Sequence, residues 1–278
     1  MTVAVIVAEE PSTQDVELRI ATEPTAASAG TLRRLSISEI YGSTFQGEGP
    51  YTGRPSTFLR LGICNLTCVW CDTPYTWRWS AKLNHQSDVV YDPKKELQLL
   101  TVEAVALRLL ELPLSRGLVI TGGEPLLQQQ ALVDLIFVLS GRGVFRQAFE
   151  SIEIETNGTV WPSDELINAG VHFNVSPKLS NAEMSAALRI NWDVLKRFCR
   201  VPSVAFKFVV CSLSDLYEVH QIVETLGIPN DRVWIMPEGR DTATLDATLG
   251  TLVDAIFRAG WNISTRLHIH LFGNRRGT

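Results

Sequence analysis

Apolar residues recur along this chain with two different periods, and the two periods alternate. Residues 35–41 (LSISEIY) alternate apolar and polar side chains, as a half-buried β-strand does. Residues 101–112 (TVEAVALRLLEL) place apolar residues three and four positions apart, behind Thr101 as a helix N-cap. Because such segments follow one another, the pattern predicts an α/β fold with a parallel sheet and helical crossovers.

Further segments extend the same alternation. Six or more parallel strands suit either an open doubly wound sheet or a full or partial barrel. The additional predicted strands cover 56–62, 117–122, 151–156, 171–175, 204–210, 232–237 and 266–273. The additional predicted helices cover 125–140, which starts at Pro125, then 187–199, 212–227, which ends at Gly227, and 242–260.

Four polar turns each follow directly after an apolar strand: TGGEP (121–125), ETNG (155–158), SPK (176–178) and MPEG (236–239). The carboxyl ends of parallel strands meet at one face, and in barrels that face carries the active site. Ordinary turn chemistry accounts for any one of these motifs, but less well for all four. We therefore predict that they share one site.

Composition sets outer bounds. Residues 1–33 are rich in Ala, Thr, Glu, Ser and Pro without a sustained period, which predicts a partly disordered extension, or a short strand around residues 3–7, before a folded domain at 34–278. The net charge of −5 argues against sequence-independent binding of nucleic acid. No apolar run of about 20 residues and no basic amino-terminal segment is present, so neither a membrane span nor a signal peptide is predicted.

The five cysteines are an odd number and three of them are clustered, which favours a reducing cytoplasm over a secreted disulfide framework. Cys64, Cys68 and Cys71 lie within eight positions. Three thiolates on a [4Fe–4S] cluster leave one iron open, whereas structural clusters use four cysteines. Zinc needs a fourth ligand from His85, Cys199 or Cys211, and none has a normal spacing. Three unrelated buried thiols are the other alternative.

The segment from Cys64 to Cys71 resembles the CxxxCxΦC signature of radical S-adenosylmethionine (SAM) enzymes, with Trp70 as the aromatic residue and TGGEP as a counterpart of the family's GGE motif. This resemblance implies a partial, open parallel β/α barrel and a cluster whose open iron chelates SAM. One-electron reduction would cleave SAM to a 5′-deoxyadenosyl radical. Gly122 and Gly123 would let the backbone approach the methionine amine of SAM closely. The Glu124 carboxylate would accept a hydrogen bond from that amine.

Residues 35 to the end, and above all FQGEG (45–49), FLRLG (58–62) and CDT (71–73), resemble the 7-carboxy-7-deazaguanine synthase family of the deazapurine (queuosine) pathway. The resemblance implies a product that feeds tRNA modification or another deazapurine, and the sequence leaves that choice open. The resemblance implies a carbon–nitrogen lyase that converts 6-carboxy-5,6,7,8-tetrahydropterin to 7-carboxy-7-deazaguanine. Hydrogen abstraction at C6 would lead to ring contraction and loss of ammonia, and the hydrogen would return so that SAM is regenerated. The reaction would need an electron donor such as flavodoxin or ferredoxin. The sequence does not fix the oligomeric state, but the exposed edges of a partial barrel favour a homodimer.

The resemblance also implies a role for individual residues. Arg60 would form a fork with the substrate carboxylate, Glu48 would face the guanidine-like pterin edge, and Thr73 would bind Mg²⁺ together with substrate oxygens. The full substrate set is Phe45, Gln46, Gly47, Glu48, Arg60, Thr121 and His268. The full SAM set is Trp70, Cys71, Asp72, Gly123, Glu124, Glu155, Ser176, Pro177, Lys178, Met236, Pro237, Glu238 and Gly239.

Two points stay open. The carboxyl-terminal segment RLHIHLFGNRRGT departs from the QTHK segment that is frequent in the family, so His268 and His270 both qualify for the substrate pocket. Another small radical SAM enzyme, such as a glycyl-radical activase, would share the cysteines and TGGEP without needing FQGEG or Arg60. A zinc- or cluster-holding interaction module would need neither SAM nor the strand-end turns.

Overall fold

The computed structural model describes residues 33–80, 89–113, 115–141 and 149–278. The predicted extension, apart from Arg33, lies outside these ranges, as does His85. Within the described ranges, nine strands form one sheet. The strands are β1 (Arg34–Phe45), β2 (Pro55–Leu61), β3 (Gln98–Thr101), β4 (Gly117–Gly122), β5 (Ser151–Thr156), β6 (His172–Val175), β7 (Val204–Val210), β8 (Val233–Pro237) and β9 (Asn262–Ile263).

The sheet order is β3-β1-β2-β4-β5-β6-β7-β8-β9. From β2 to β9 every neighbouring pair is parallel, whereas β1 is antiparallel to both β2 and β3. The terminal strands β3 and β9 do not pair with each other, so the sheet forms a barrel that is not closed. The predicted open, partial β/α barrel is confirmed.

Helices cover the outer face of the sheet. Two of them begin or end at the capping residues that the sequence predicts. The Thr101 hydroxyl accepts from the Ala104 N–H, and Gly227 ends its helix with a φ of 65°. None of the described helices is long and apolar enough to cross a membrane. The helices are α1 (Pro93–Glu96), α2 (Val102–Leu110), α3 (Gln129–Gly141), α4 (Asp164–Asn168), α5 (Ala186–Arg189), α6 (Trp192–Phe198), α7 (Leu213–Leu226), α8 (Thr242–Ala259) and α9 (Leu267–Phe272).

Two predicted elements are wrong. Residues 266–273 alternate like a strand, but they form helix α9, in which only Ile269 is fully buried. A short apolar run has no decisive period, and contacts with the rest of the fold settle its form. The single helix predicted for 187–199 is two helices, α5 and α6. Asn191 is the N-cap of α6, because its side chain accepts a hydrogen bond from the Val194 N–H.

The core lies between the sheet and the helices. Strand β7 has one face toward this core and the other toward the inner cavity of the barrel. All seven residues of β7 (VAFKFVV) are buried, including Lys207. Phe206 and Phe208 face the helices as core residues, whereas Lys207 lines the inner cavity of the barrel. A buried lysine requires carboxylate partners in that cavity.

Candidate functional site

One open cavity of about 440 Å³ lies inside the barrel at the carboxyl ends of the parallel strands. Its wall includes Cys64, Cys68 and Cys71 together with residues from all four polar turns. The predicted convergence of these turns on one site is therefore confirmed. A cavity of this size is typical of small-molecule sites.

The cysteine loop has the donors that an iron–sulfur cluster needs. All five cysteines of the chain are free thiols. Burial raises the pKa of Cys64 to about 12 and that of Cys68 to about 11, and it also raises the pKa of Cys71. The Leu66 N–H donates to Cys64 Sγ at 3.4 Å, and the Trp77 indole donates to Cys71 Sγ at 3.3 Å. Such bonds stabilise ligating thiolates and tune a cluster, so the donor set fits a cluster with three cysteine ligands.

The zinc alternative receives no support from the described candidates. Neither Cys199 nor Cys211 lines the cavity. In the part of the chain that the structure describes, no three His, Cys, Asp or Glu side chains group around one metal position. A cubane cluster does not require such convergence, because each thiolate binds a different iron.

The cysteine loop is braced by the segment after β6. The Trp70 indole donates to Asn181 Oδ1 at 3.2 Å, and the Thr67 N–H donates to Met184 Sδ at 3.3 Å. The Lys178 ammonium lies 5.7 Å from the Trp70 ring centroid. Trp70 therefore forms a fixed wall beside the cysteines.

The glycines of TGGEP pack against the start of the cysteine loop. Gly122 has a φ of 135°, and a side chain there would collide with the Leu61 backbone. A side chain at Gly123 would collide with the Ile63 carbonyl oxygen. The Gly123 N–H also donates to Leu61 O at 3.0 Å, and the Glu124 N–H donates to Ile63 O at 2.8 Å. The glycines therefore fix the approach of the chain to Cys64.

Substitution of Gly123 by alanine should displace Ile63 and hence Cys64. We expect less iron per chain after anaerobic reconstitution and a lower melting temperature, measured by iron analysis and circular dichroism. Gly250 in α8 is the matched control, because an added Cβ there meets no atom within 4 Å and alanine improves helix propensity by about 1 kcal/mol. Full iron loading in Gly123→Ala would contradict the packing argument.

The predicted contact of Glu124 with SAM does not fit the structure, because Glu124 does not line the cavity. It is fully buried and accepts from the N–H groups of Leu126 at 3.0 Å and Asn157 at 2.7 Å, and from the Thr156 hydroxyl at 2.8 Å. These bonds occupy both carboxylate oxygens, so Glu124 joins the β4 and β5 turns instead of contacting a ligand. Pro177 is also buried and does not line the cavity.

The other residues of the predicted SAM set line the cavity: Trp70, Cys71, Asp72, Gly123, Glu155, Ser176, Lys178, Met236, Pro237, Glu238 and Gly239. Glu155, however, is bonded to residues of the predicted substrate set. It accepts from the Thr121 hydroxyl at 2.7 Å and from the Gln46 amide at 3.4 Å. Glu155 therefore belongs to the wall that carries the substrate set.

All members of the predicted substrate set line the cavity: Phe45, Gln46, Gly47, Glu48, Arg60, Thr121 and His268. The backbone of their turn is already held, because the Gln46 N–H donates to Arg54 O at 2.8 Å and Gly47 O accepts from the Leu267 N–H at 2.9 Å. Side chains therefore supply most of the free polar groups on this wall.

Glu48 is the centre of a buried charge network. Its carboxylate accepts from the Lys207 ammonium and, at 3.2 Å, from Arg266 Nε. Arg266 also pairs with Asp72. Burial alone would raise the pKa of Glu48, but Lys207 and Arg266 outweigh burial and hold it well below its usual range. Glu48 lines the cavity, and its carboxylate already pairs with two cations, so the predicted contact with a guanidine-like pterin edge would form beside these ion pairs.

Arg60 is oriented by Glu39 and Tyr41. Its Nε donates to Glu39 Oε2 at 2.8 Å, and its Nη2 donates to the Tyr41 hydroxyl at 3.1 Å. Glu39 also accepts from the Tyr75 hydroxyl at 3.0 Å and from Arg276 Nε at 3.0 Å. The guanidinium of Arg60 is thus fixed at the cavity wall before any ligand binds.

Of the two histidines that the sequence left open, His268 lines the cavity and His270 does not. His268 packs against Gly47, where a Cβ would collide with its ring. Burial lowers the pKa of His268 despite the nearby Glu48, so its imidazole is neutral near pH 7. His270 lies outside the cavity, with Nε2 3.1 Å from the Thr265 hydroxyl.

Glu153 lies beneath the cavity and bonds to the Gln46 amide through Oε1, while its Oε2 is buried without a partner among the described residues. Burial and the neighbouring Glu155 raise the pKa of Glu153 to about 8. A carboxyl whose pKa is raised in the folded state contributes stability at low pH that is lost as the pH rises toward 8.

We therefore expect Glu153→Gln to be more stable relative to wild type at pH 9 than at pH 5. Urea unfolding at the two pH values measures the change. Glu165→Gln is the control, because that exposed carboxyl has a lowered pKa and should not gain stability at high pH. An equal difference between Glu153→Gln and wild type at both pH values would contradict the assignment.

Sequence reasoning missed Lys207, Arg266 and Glu153. A detectable signal existed for Lys207, which is a single charge inside an otherwise apolar strand, whereas Glu153 lies in a strand that alternates polar and apolar residues (SIEIET). Arg266 carried no such signal, because its surroundings in sequence are polar.

The cavity, the open barrel and the three-cysteine loop together define an enzyme of the radical SAM type. The Radical SAM superfamily profile matches residues 60–241. Among solved structures, QueE from Escherichia coli has a TM-score of 0.58 and 25% identity, covering 84% of this chain and 95% of that one.

Proteins similar in sequence to this chain show which family of radical SAM enzymes it belongs to. A 7-carboxy-7-deazaguanine synthase of Pyrobaculum aerophilum is 35% identical over 88% of this chain and 97% of its own length. A 7-carboxy-7-deazaguanine synthase of Rhodopirellula baltica is 33% identical over 92% of this chain and 95% of its own length. The chain belongs to the 7-carboxy-7-deazaguanine synthase family, a family of radical SAM enzymes.

Proposed function

We propose that the chain converts 6-carboxy-5,6,7,8-tetrahydropterin to 7-carboxy-7-deazaguanine and ammonia. The observation that carries this proposal is the union, in one cavity, of the three-cysteine loop with an arginine- and glutamate-bearing wall. The substrate and 7-carboxy-7-deazaguanine differ by one molecule of ammonia, which is the other product, so the reaction needs no net oxidant. A radical started by hydrogen abstraction must then end with the return of that hydrogen, which fits reuse of SAM.

Cys64, Cys68 and Cys71 would hold the [4Fe–4S] cluster, and SAM would lie along Trp70 and the turns after β6 and β8. When bound, the cluster supplies the electron and SAM supplies the organic radical. Lys178 donates to the Ser176 hydroxyl at 2.9 Å and adds positive charge beside Trp70, which suits a carboxylate-bearing ligand. The Arg240 guanidinium donates to Cys71 O at 3.0 Å and ties the cysteine loop to the β8 turn.

The substrate would lie on the opposite wall. Arg60 would bind its carboxylate, and its fixed orientation lowers the entropic cost of that contact. Glu155, which accepts only from the Thr121 hydroxyl and the Gln46 amide at hydrogen-bond distance among the described contacts, would bind the guanidine-like edge of the pterin. Neutral His268 would add a hydrogen bond without adding charge.

Thr73 would serve as a protein ligand for Mg²⁺. It is 9% exposed, lines the cavity, and lies 3.7 Å (Oγ1) from Cys71 Sγ. One neutral hydroxyl is a weak magnesium site, and Asp72 is already paired with Arg266. The ion would therefore bind with substrate oxygens, and we propose a Mg²⁺ requirement that appears only when substrate is present.

A one-electron donor such as flavodoxin or ferredoxin would reduce the cluster. The Arg60 side chain on the cavity wall is 16% exposed, which favours a small molecule over the protein loop on which a glycyl-radical activase acts. Anaerobic incubation with the pterin, SAM, Mg²⁺ and a reductant tests the proposal by mass spectrometry. Equal amounts of product and ammonia are expected, and SAM cleavage without product would refute the proposed substrate.

Arg60→Gln tests the carboxylate contact. We expect kcat/KM for the carboxylated pterin to fall roughly 10- to 100-fold, since a charge-assisted bond contributes about 1.5–3 kcal/mol. Binding of tetrahydropterin, which lacks the carboxylate, should be unchanged and serves as the matched ligand control. An equal loss of affinity for both ligands would show that Arg60 acts through the fold.

A further inference from the structure

Arg266 joins three separate segments of the cavity wall. Its Nη1 donates to Gly239 O at 2.7 Å, its Nε donates to Glu48 Oε1 at 3.2 Å, and its Nη2 pairs with Asp72. Arg266 itself is 6% exposed. Each nitrogen of the guanidinium therefore reaches a different segment, and no sequence motif in the chain assigns this residue a role.

The three segments carry different parts of the chemistry. Asp72 lies between Cys71 and Thr73 on the cysteine loop, Gly239 ends the β8 turn, and Glu48 lies on the substrate wall. We infer that Arg266 is a positioning residue that sets the spacing between the radical-generating side and the substrate side of the cavity. This inference rests on the proposed function above.

The network is suited to that task because its two cations are buried: the Arg266 and Lys207 side chains are 7% and 6% exposed, whereas the Asp72 side chain is 39% exposed. Two carboxylates, Glu48 and Asp72, face two cations, Arg266 and Lys207. Among the described residues, Lys207 pairs with Glu48 and Glu155 on the substrate side, whereas Arg266 pairs with both Glu48 and Asp72. Of these two cations, Arg266 is therefore the one that reaches the cysteine loop. Without Arg266, Asp72 loses its buried partner and Glu48 keeps only Lys207.

The substrate wall has its own anchors near Arg266. The Gly49 N–H donates to Ser264 Oγ at 2.7 Å, and the Leu267 N–H donates to Gly47 O at 2.9 Å. Loss of the Arg266 side chain would therefore leave this wall in place while it releases the Asp72 contact. The expected fault is a change in spacing, not a collapse of the barrel.

Spacing matters because a radical must meet its hydrogen at van der Waals range, and a displacement of about 1 Å costs on the order of 100-fold in rate. Cleavage of SAM occurs on the cluster side alone and is less sensitive to that spacing. Because coupled turnover reuses SAM, 5′-deoxyadenosine accumulates only when cleavage is not followed by product formation. Arg266→Gln should thus form product about 100-fold more slowly, while accumulation of 5′-deoxyadenosine falls less than about 10-fold, so the ratio of 5′-deoxyadenosine to product rises. Arg266→Lys should recover part of the coupling.

The matched control is Arg232, whose guanidinium also makes three hydrogen bonds, to the carbonyls of Val204, Cys199 and Val201, away from the cavity. Arg232→Gln should lower stability without changing the ratio of deoxyadenosine to product. Asp72→Asn removes one contact of Arg266 from the other side and should raise the ratio, and the double variant should be no worse than Arg266→Gln.

Hydrogen exchange of the cluster-free protein gives a readout that does not depend on activity. Arg266→Gln should speed exchange in residues 71–76, and Arg232→Gln should not. A parallel fall of deoxyadenosine and product, an unchanged ratio, or the same ratio shift in Arg232→Gln would overturn the inference. If Arg266→Gln fails to fold, the ratio of 5′-deoxyadenosine to product in Asp72→Asn and Arg266→Lys tests the inference in its place. Wild-type product formation in the parallel reaction tests the proposed function separately.

Discussion

Cys68→Ala should yield protein that forms no measurable 7-carboxy-7-deazaguanine. Cys68 is 7% exposed and lines the cavity between the other two cysteines of the loop. Removing one of three thiolates leaves two ligands, and a cubane cluster that already has an open iron is not retained by two. Iron and sulfide analysis after anaerobic reconstitution, followed by the turnover assay, measures both losses.

Cys199→Ala is the control for that experiment. Cys199 packs at the edge of the core and does not line the cavity. Its replacement should leave iron content and turnover close to those of wild type. Equal losses in the two variants would contradict the assignment of the cluster ligands.

Lys207→Met should cost roughly 3–5 kcal/mol in the free energy of unfolding at pH 7, the range for removing one partner of a buried ion pair. The Lys207 side chain is 6% exposed, pairs with Glu48 and lies 3.8 Å from Glu155. Methionine fills similar space but leaves these carboxylates with less positive charge. Urea unfolding monitored by circular dichroism gives the value.

Two further variants make that result specific. Lys196→Met changes an exposed lysine on α6 and should alter stability by less than about 0.5 kcal/mol. Adding Glu48→Gln to Lys207→Met should restore part of the loss, because it removes the carboxylate that lost its partner. A Lys207→Met protein as stable as Lys196→Met would show that the network does not hold the barrel together.

Local patterns predicted the parts of the fold that depend on neighbours in sequence. Hydrophobic period located the parallel strands β2 and β4 to β8, but not the two-residue β9. The turns after these strands identified the face of the site, because parallel strands place their carboxyl ends together. Cys64, Cys68 and Cys71 were recognisable because all three lie on one loop. Helix α9 was mispredicted, since an alternating run of six residues fits either period until tertiary contacts choose.

The charge network was not predictable because its partners are far apart in sequence. Glu48 and Lys207 are separated by 159 positions, and Asp72 and Arg266 by 194. No local pattern encodes such pairs, and the resemblance to a family gave Glu48 a ligand without indicating the two cations that it pairs with. A lone charge in an apolar strand, such as Lys207, is the one local signal that points to a buried partner.

Electron paramagnetic resonance of the reduced, anaerobically reconstituted protein, with and without SAM, tests the central claim most directly. We expect about four irons per chain and a [4Fe–4S]⁺ signal that changes when SAM is added, because three cysteines leave one iron to bind it. A protein that assembles no cluster, or a cluster signal that SAM leaves unchanged, would contradict the account.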